Sequence, residues 1–167
     1  LQDGNLGKTY IVEEFYKIIK VYIPKIDGIT FSGGEPLVQS EELIQLLNLL
    51  PSDLDKMLFT GFNQSELNAK QLNCFNQFDL VIEGRFEIEN MGDLLWRGSH
   101  NQRILSPTLK YNSIIDDMYL SKSVGLDIKI DTQEILFYGI PTQKDEISKI
   151  KELLTSNKVM TNPIKID

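Results

Sequence analysis

The spacing of apolar side chains predicts three helices in the first half of the chain. Apolar residues three or four positions apart form the first stripe, behind a predicted helix cap at Thr9 and ahead of Pro24. A second stripe begins at Ser40 and stops at Pro51, and a third follows a predicted cap at Ser65. The first stripe consists of Ile11, Phe15, Ile18, Ile19 and Tyr22.

Short apolar runs between these helices predict buried strands. The runs at 29–31, 56–60 and 79–84 are rich in β-branched or aromatic residues and alternate with the helical stripes. Strands that alternate with helices are typical of a parallel sheet, which collects ligand groups at the carboxyl ends of its strands. We therefore expect one common edge to carry the glycines that close the three runs, Gly33, Gly61 and Gly84.

The second half of the chain has weaker patterns. A short strand is expected at 104–105, and 108–124 is compatible with a helix. Period-two alternation at 125–130 and 135–139 predicts an antiparallel hairpin at an edge of the sheet. The stripe at 145–155 predicts a last amphipathic helix. The fold class is therefore α/β, with a C-terminal β-hairpin plus helix.

Composition narrows the class of protein. A chain of 167 residues with no internal boundary is one domain, residues 1–167. A net charge of −7 argues against nonspecific nucleic-acid or anionic-membrane binding, and no apolar run reaches the length of a membrane span. One cysteine and one histidine form no disulfide and no zinc or iron–sulfur site by themselves. We expect a cytoplasmic protein.

Residues 28–37 read Gly-Ile-Thr-Phe-Ser-Gly-Gly-Glu-Pro-Leu and carry the clearest chemical signal. Gly33 and Gly34 allow a ligand to approach the backbone closely, and Glu35 adds a carboxylate at the end of the predicted strand. Acceptor groups of this kind suit the ammonium of an amino acid, whereas a phosphate needs a positive nest and a lysine. The alternative is a glycine turn followed by an ordinary surface glutamate.

This string resembles the radical S-adenosylmethionine (SAM) enzymes. It looks closest to the activating enzymes of anaerobic ribonucleotide reductase and pyruvate formate-lyase. Three later segments, Thr60-Gly61, 79–86 and 97–103, look like stretches of the same branch, in the same order. The resemblance covers residues 28 to about 105, nearly half the chain.

The resemblance implies a partial (β/α) barrel of radical SAM type that binds SAM against a four-iron, four-sulfur (4Fe-4S) cluster. Reductive cleavage of SAM then gives a 5′-deoxyadenosyl radical. It implies as partners a protein or peptide substrate, such as a glycyl radical enzyme, and an electron donor such as flavodoxin or ferredoxin. Carried onto this chain, it assigns SAM binding to Ser32, Gly33, Gly34, Glu35, Thr60 and Gly61.

The sequence departs from that family in lacking its three-cysteine cluster motif, since Cys74 is the only cysteine. The chain also opens at Leu1 without an initiator methionine. We therefore expect a radical SAM-like domain without its N-terminal strand and cysteine loop, whether these were cut off, disordered or lost in evolution. Such a chain is expected to expose apolar surface.

Two other functions stay open at this point. The first is a cysteine-free, non-catalytic homologue that binds a ligand or a partner protein. The second is a phosphate-binding barrel enzyme, disfavoured because no lysine stands beside the glycine loop.

Four further residues have no assigned role. Arg97 and Arg103 are suited either to hold a carboxylate or to pair with acidic neighbours such as Asp93. His100 is typical of a polar loop, and the composition of 97–103 by itself predicts an exposed loop. Trp96 is compatible with a core anchor whose N–H is satisfied.

Overall fold

The computed structural model describes residues 8–122, the strands at 127–130 and 135–138, and residue 152. Its main sheet has four strands in the order β1-β2-β3-β4. The first three run parallel and the fourth runs antiparallel to β3, so the predicted α/β class and parallel strands are confirmed. A partial barrel stays a prediction. The strands are β1 (Gly28–Phe31), β2 (Asp55–Thr60), β3 (Leu80–Glu83) and β4 (Arg103–Leu105).

Helices join the parallel strands in the predicted alternation. One helix precedes β1, one lies between β1 and β2, one lies between β2 and β3, and a short one follows β4. Turns of 3-10 helix lead into the last three, at Pro36–Gln39, Gln64–Glu66 and Asn112–Ile114. The helices are α1 (Val12–Ile19), α2 (Ser40–Leu49), α3 (Ala69–Phe75) and α4 (Ile115–Leu120).

The sheet separates two apolar clusters because its side chains alternate between its faces. On one face, Leu58 and Val81 lie with the inner sides of α2 and α3, including Leu47 and Phe75. On the other face, β3 and β4 pack with Met118 of α4. The buried members of this second cluster are Leu80, Ile82, Ile104 and Met118.

Helix α1 differs from its predicted bounds. Ile11, not Thr9, is its N-cap residue, and no side chain caps it. It ends at Ile19, well before Pro24, which lies in a separate 3-10 turn, Ile23–Lys25. The fixed φ of proline is compatible with the start of such a turn.

The apolar stripe of α1 is mostly exposed. The helix contacts the core through Tyr16 and Ile19, and Ile23 continues that contact. The other members of the stripe do not contact that core cluster. The exposed members, with their exposed fractions, are Ile11 (64%), Phe15 (37%), Ile18 (49%) and Tyr22 (58%).

Helix α3 begins at a different cap from the one predicted. The Asn68 side chain accepts hydrogen bonds from the N–H groups of Lys70 and Gln71, both at 3.0 Å. The Gln71 side chain accepts the N–H of Asn68 in return, which completes a capping box. Ser65 lies in the preceding 3-10 turn and does not cap α3.

The predicted hairpin is confirmed in its pairing. Strands β5 (Asp127–Ile130) and β6 (Ile135–Tyr138) pair antiparallel, with Asp127 opposite Tyr138. They form a separate two-stranded sheet, so the predicted position at an edge of the parallel sheet is wrong. The helix predicted at 145–155 lies outside the described residues, except that the backbone of Glu152 is helical.

Candidate functional site

The loop that follows β1 presents exposed backbone. Ser32, Gly33 and Gly34 are all exposed, and Gly33 has a φ of +94°, which favours glycine. A Cβ built on either glycine would meet no heavy atom within 4 Å. Open space therefore lies beside both peptide groups, and a ligand can approach them as the sequence predicts.

The Glu35 carboxylate uses most of its hydrogen-bond acceptor positions within the protein. Its Oε1 accepts the N–H of Leu37 at 3.0 Å and the hydroxyl of Thr60 at 2.8 Å. Its Oε2 accepts the N–H of Gly61 at 2.8 Å. An ionised carboxylate offers about four acceptor positions, so one position, on Oε2, is left for a ligand.

Thr60 and Gly61 support the β1 loop from the end of β2. The Thr60 side chain is buried, and its hydroxyl also accepts the N–H of Phe62 at 3.1 Å. Gly61 lies close to the Glu35 carboxylate, since a Cβ there would be 3.5 Å from Oε2. The six residues predicted to bind the ligand therefore lie together, because Glu35 joins the loop after β1 to Thr60 and Gly61 at the end of β2.

Glu83 fixes the third strand end in a similar way. This residue is fully buried, and its Oε2 accepts the N–H of Gln64 at 2.8 Å. Its Oε1 accepts the Nε–H of Arg103 at 2.7 Å and a second guanidinium N–H. Arg103 therefore pairs with an acidic residue, one of the two roles left open for it, and it links β4 to the end of β3.

The segment 97–103 is a scaffold rather than the exposed loop that its composition predicts. Arg97, Gly98 and Ser99 are buried. The Ser99 hydroxyl accepts the N–H of Glu87 at 3.1 Å. The Asn101 amide donates to the carbonyl of Arg85 at 2.8 Å. Each bond joins segment 97–103 directly to the loop that follows β3, and together they hold that loop in place.

Gln102 binds both segments at once. Its amide N–H donates to the carbonyl of Gly84 at 2.8 Å, while its Oε1 accepts the N–H of Gly98 at 2.7 Å. Gly84 has a φ of +101°, so glycine suits this turn. Gln102 and Glu83 were not among the predicted site residues; their only signal was their place inside the segments that carry the resemblance.

Arg97 lies away from the strand ends and against Tyr119. Its guanidinium lies 4.3 Å from the centroid of the Tyr119 ring, and it donates to the Tyr119 carbonyl at 3.2 Å. Burial lowers the pKa of Arg97, because desolvation disfavours the charged form. Asp93, the partner considered for Arg97, lies 3.8 Å from the ammonium of Lys122. Trp96 is 39% exposed, so it is no core anchor.

His100 and Cys74 also lie outside the site. His100 is exposed, and its ring packs on Gly92, where a Cβ would come within 2.5 Å of Nε2. Cys74, a residue of α3, is buried in the core, and desolvation raises its pKa to about 11. Within the described ranges, no group of three or more His, Cys, Asp or Glu side chains is arranged to hold a metal ion.

Two clefts meet at the β1 loop and share Ser32, Gly33 and Gly34. The larger, of about 550 Å³, lies on the side of α1 and α2, and Glu35 lines it. The smaller, of about 220 Å³, lies across the ends of β1, β2 and β3. Beyond the shared residues, the smaller cleft is lined by Phe59, Thr60, Gly61, Ile82, Gly84, Arg85, Phe86 and Gln102.

Arg85 supplies the positive charge of the smaller cleft. Its side chain is largely exposed and lies 3.0 Å from a carboxylate oxygen of Glu66. The pKa of Glu66 is lowered, first by the N–H of Asn63 and then by the Arg85 guanidinium. The cleft therefore combines an apolar floor with one cation and free backbone groups.

A model of the 4Fe-4S single cluster domain family matches residues 1–105, well over half of the chain. The chain belongs to this family. A 4Fe-4S cluster takes cysteine ligands, and the one cysteine here is buried in the core. The residues of this sequence therefore do not fit the cluster by themselves, as the sequence analysis expects.

Curated relatives share one name, anaerobic ribonucleoside-triphosphate reductase-activating protein. The relative from Enterobacteria phage T4 is 35% identical over 88 residues, which cover 50% of this chain and 55% of the relative. The relative from Escherichia coli K12 is 33% identical over 85 residues, covering 47% and 54%. The relative from Haemophilus influenzae is 36% identical over 87 residues, covering 48% and 56%.

The matched residues span about half the length of these curated relatives. No solved structure matches the chain. In the part of the chain that the structure describes, no helix has the length and apolar character needed to cross a bilayer.

Proposed function

We propose that this chain is the SAM-binding part of a radical SAM activating protein whose substrate is a glycyl radical enzyme of the ribonucleotide reductase type. Two findings support this: the match to the 4Fe-4S single cluster domain family and the shared name of the curated relatives. The resemblance of residues 28–37 to the radical SAM enzymes adds the identity of the ligand.

The observation that carries the proposal is the free backbone at Gly33 and Gly34. The space beside these glycines is open, and Glu35 fixes the loop through its bonds to β2. Free carbonyl groups and the remaining acceptor position on Glu35 suit the ammonium of the SAM methionine moiety. The carboxyl ends of parallel strands are also where α/β sheets bind their ligands.

A 4Fe-4S cluster supplies the electron in radical SAM chemistry, and the residues here do not fit one without further cysteines. The contribution of this chain is to bind SAM, orient it and exclude water around it. The electron donor, such as flavodoxin or ferredoxin, and the protein substrate belong to the same proposal.

A second candidate is a homologue that binds SAM or a related ligand without cleaving it. Within this sequence there is no three-cysteine motif, and the one cysteine, Cys74, is fully buried, so these residues by themselves support ligand binding and not cleavage. The two candidates share the SAM site and differ only in cleavage.

Binding is tested by calorimetric titration with SAM, first of the unaltered chain and then of its Gly34→Val variant. The φ of Gly34 is not positive, and a Cβ there would meet open space, so the fold tolerates valine at this position. The same side chain fills the space proposed for SAM, and we expect a loss of affinity of at least about 10-fold. The matched control is Val38→Ala, on an exposed residue outside both clefts. Unchanged affinity in Gly34→Val, or no SAM binding by the unaltered chain, would refute the proposal.

Cleavage is tested on protein that also carries a three-cysteine segment, reconstituted anaerobically with iron and sulfide. Addition of dithionite and SAM is expected to release 5′-deoxyadenosine, measured by chromatography. The same preparation is expected to be inert after exposure to air. SAM binding without release of 5′-deoxyadenosine would favour the second candidate.

A further inference from the structure

Phe86 forms part of the wall of the smaller cleft without being needed for the core. It follows β3 directly after Gly84 and Arg85, and 53% of it is exposed. The cleft surface next to it is apolar as well, because Phe59 and Ile82 also line it. An exposed phenylalanine alone is ordinary, so its significance depends on how it is held.

The ring of Phe86 is held against a glycine that has no room for a side chain. A Cβ on Gly98 would lie 2.7 Å from Cδ2 of Phe86, closer than such contacts occur. Gly98 is in turn fixed by Gln102, which accepts its N–H at 2.7 Å and donates to Gly84 at 2.8 Å. The backbone is tied on both sides of Phe86, so its ring is positioned beside the cleft before any ligand binds.

We infer that Phe86 is a stacking platform for the planar base of a nucleoside, which in the proposed function is the adenine of SAM. This inference rests on the proposed function. A flat aromatic ring binds any purine face, and such stacking needs no hydrogen bond. Gln102 and Gly84 also line this cleft, but their polar groups are paired with each other and with Gly98, so the ring is the feature that fits a base.

The arrangement of the two clefts agrees with this assignment. Both contain Ser32, Gly33 and Gly34, and only the larger contains Glu35. A ligand that crosses the shared backbone therefore has its amino-acid end near Glu35 and its nucleoside in the smaller cleft. At about 220 Å³, the smaller cleft lies below the range typical of a whole ligand and suits a part of one.

A rival position for the base is the larger cleft, which Tyr10 and Phe15 line. Their rings pack against each other with centroids 5.8 Å apart, and the ammonium of Lys8 lies 4.7 Å from the Tyr10 ring. These rings already contact each other and a cation, whereas Phe86 contacts a glycine on one side and the cleft on the other. The experiment below includes both positions.

The test is titration with S-adenosylhomocysteine, which has the nucleoside and the amino-acid end but is bound without reductive cleavage. Phe86→Ala is expected to weaken its binding by between about 5-fold and 150-fold, the range for loss of one base–aromatic stack. Phe86→Tyr keeps the ring and is expected to bind within about 3-fold of the unaltered chain. L-methionine, which lacks the base, is expected to bind Phe86→Ala and the unaltered chain alike.

Two control variants complete the experiment. Ile88→Ala shortens an exposed apolar residue of the same loop that lines neither cleft, and it is expected to leave affinity unchanged. Phe15→Ala tests the rival position, and its affinities for S-adenosylhomocysteine and for L-methionine are expected to change by the same factor, because Phe15 lines the cleft proposed for the amino-acid end. Normal circular dichroism of each variant excludes unfolding as the cause of any loss.

Three results would overturn the inference. Equal affinity of Phe86→Ala and the unaltered chain for S-adenosylhomocysteine would remove Phe86 from the site while leaving SAM binding in place. A loss of S-adenosylhomocysteine affinity in Phe15→Ala that L-methionine does not share would move the base to the larger cleft. Failure of the unaltered chain to bind SAM and S-adenosylhomocysteine would overturn the proposed function, and this inference with it.

Discussion

Removal of the Glu35 carboxylate is expected to destabilise the fold as well as weaken ligand binding. The carboxylate joins the loop after β1 to the end of β2 through the Thr60 hydroxyl and the Gly61 N–H, both at 2.8 Å. It also accepts the N–H of Leu37, which starts the turn into α2. Glu35→Ala leaves all three donors without this partner.

The magnitude follows from the number and exposure of these bonds. A hydrogen bond to a charged group contributes about 1.5–3 kcal/mol when its partner is removed. Glu35 is only half-buried, so water replaces part of what is lost, and neighbouring bonds do not add fully. We expect the free energy of unfolding to fall by about 2–4 kcal/mol, which corresponds to about 5–15 °C in Tm for a domain of this size.

The assay is urea unfolding followed by circular dichroism and by the fluorescence of Trp96, the one tryptophan. The slope of the transition should stay constant while its midpoint falls. Glu41→Ala is the matched control, since this exposed glutamate pairs with Lys70 at the surface, and it should cost no more than about 0.5 kcal/mol. Thr60→Val should show a coupling energy with Glu35→Ala of at least about 0.5 kcal/mol. A Glu35→Ala variant as stable as the control would refute the reasoning.

Three further predictions concern other parts of the chain. Cys74, whose pKa burial raises to about 11, should resist alkylation at about pH 8.5 in the folded protein and react once urea unfolds it; equal rates would contradict its burial. Hydrogen bonds from Lys110 and then Tyr111 lower the pKa of Asp55 in the folded protein. The ionised Asp55 therefore stabilises the fold at pH values above its ordinary pKa of 3.8, and this stabilisation is lost as the pH falls through the lower pKa of the folded state. The destabilisation caused by Tyr111→Phe, measured by thermal unfolding, should therefore shrink below about pH 4; a constant difference would contradict this. The folded chain should bind a hydrophobic dye through the exposed stripe of α1, and Ile18→Lys should reduce the dye signal without lowering Tm; an unchanged signal would place the dye elsewhere.

Local sequence patterns predicted the parallel strands and the common edge that carries the candidate site residues, because both depend on contiguous residues. β3 is buried throughout, as its apolar run predicts, whereas the burial predicted for β1 is wrong, because β1 is an edge strand whose Ile29 and Phe31 are only half-buried. The glycines at the strand ends follow from chain order. The bounds of α1 and α3 were less predictable. Several residues near each start were suitable caps, and the choice of Asn68 over Ser65 depends on the turn that precedes α3.

The inward side of α1 and the role of 97–103 were not predictable, because both depend on what packs against them. Period alone placed Phe15 and Ile19 on one stripe, but only Ile19 contacts the core. The polar composition of 97–103 is typical of solvent contact, yet Ser99 and Gln102 bond backbone groups that come close only after β4 pairs with β3. Side chains that satisfy distant backbone groups leave no local pattern.

The acidic residues at the strand ends, Glu35 and Glu83, form hydrogen bonds mainly with the neighbouring loops. Glu35 joins the exit of β1 to that of β2, and Glu83 joins the exit of β3 to Gln64, which follows β2. Charged hydrogen bonds of this kind fix the loops to one another, while the space beside Gly33 and Gly34 stays open for a ligand. Recognition by the backbone and support by the carboxylates are therefore separable. Gly34→Val should lose SAM affinity with stability intact, whereas Glu35→Ala should lose both, and equal losses of stability in the two variants would show that the glycines support the fold as well.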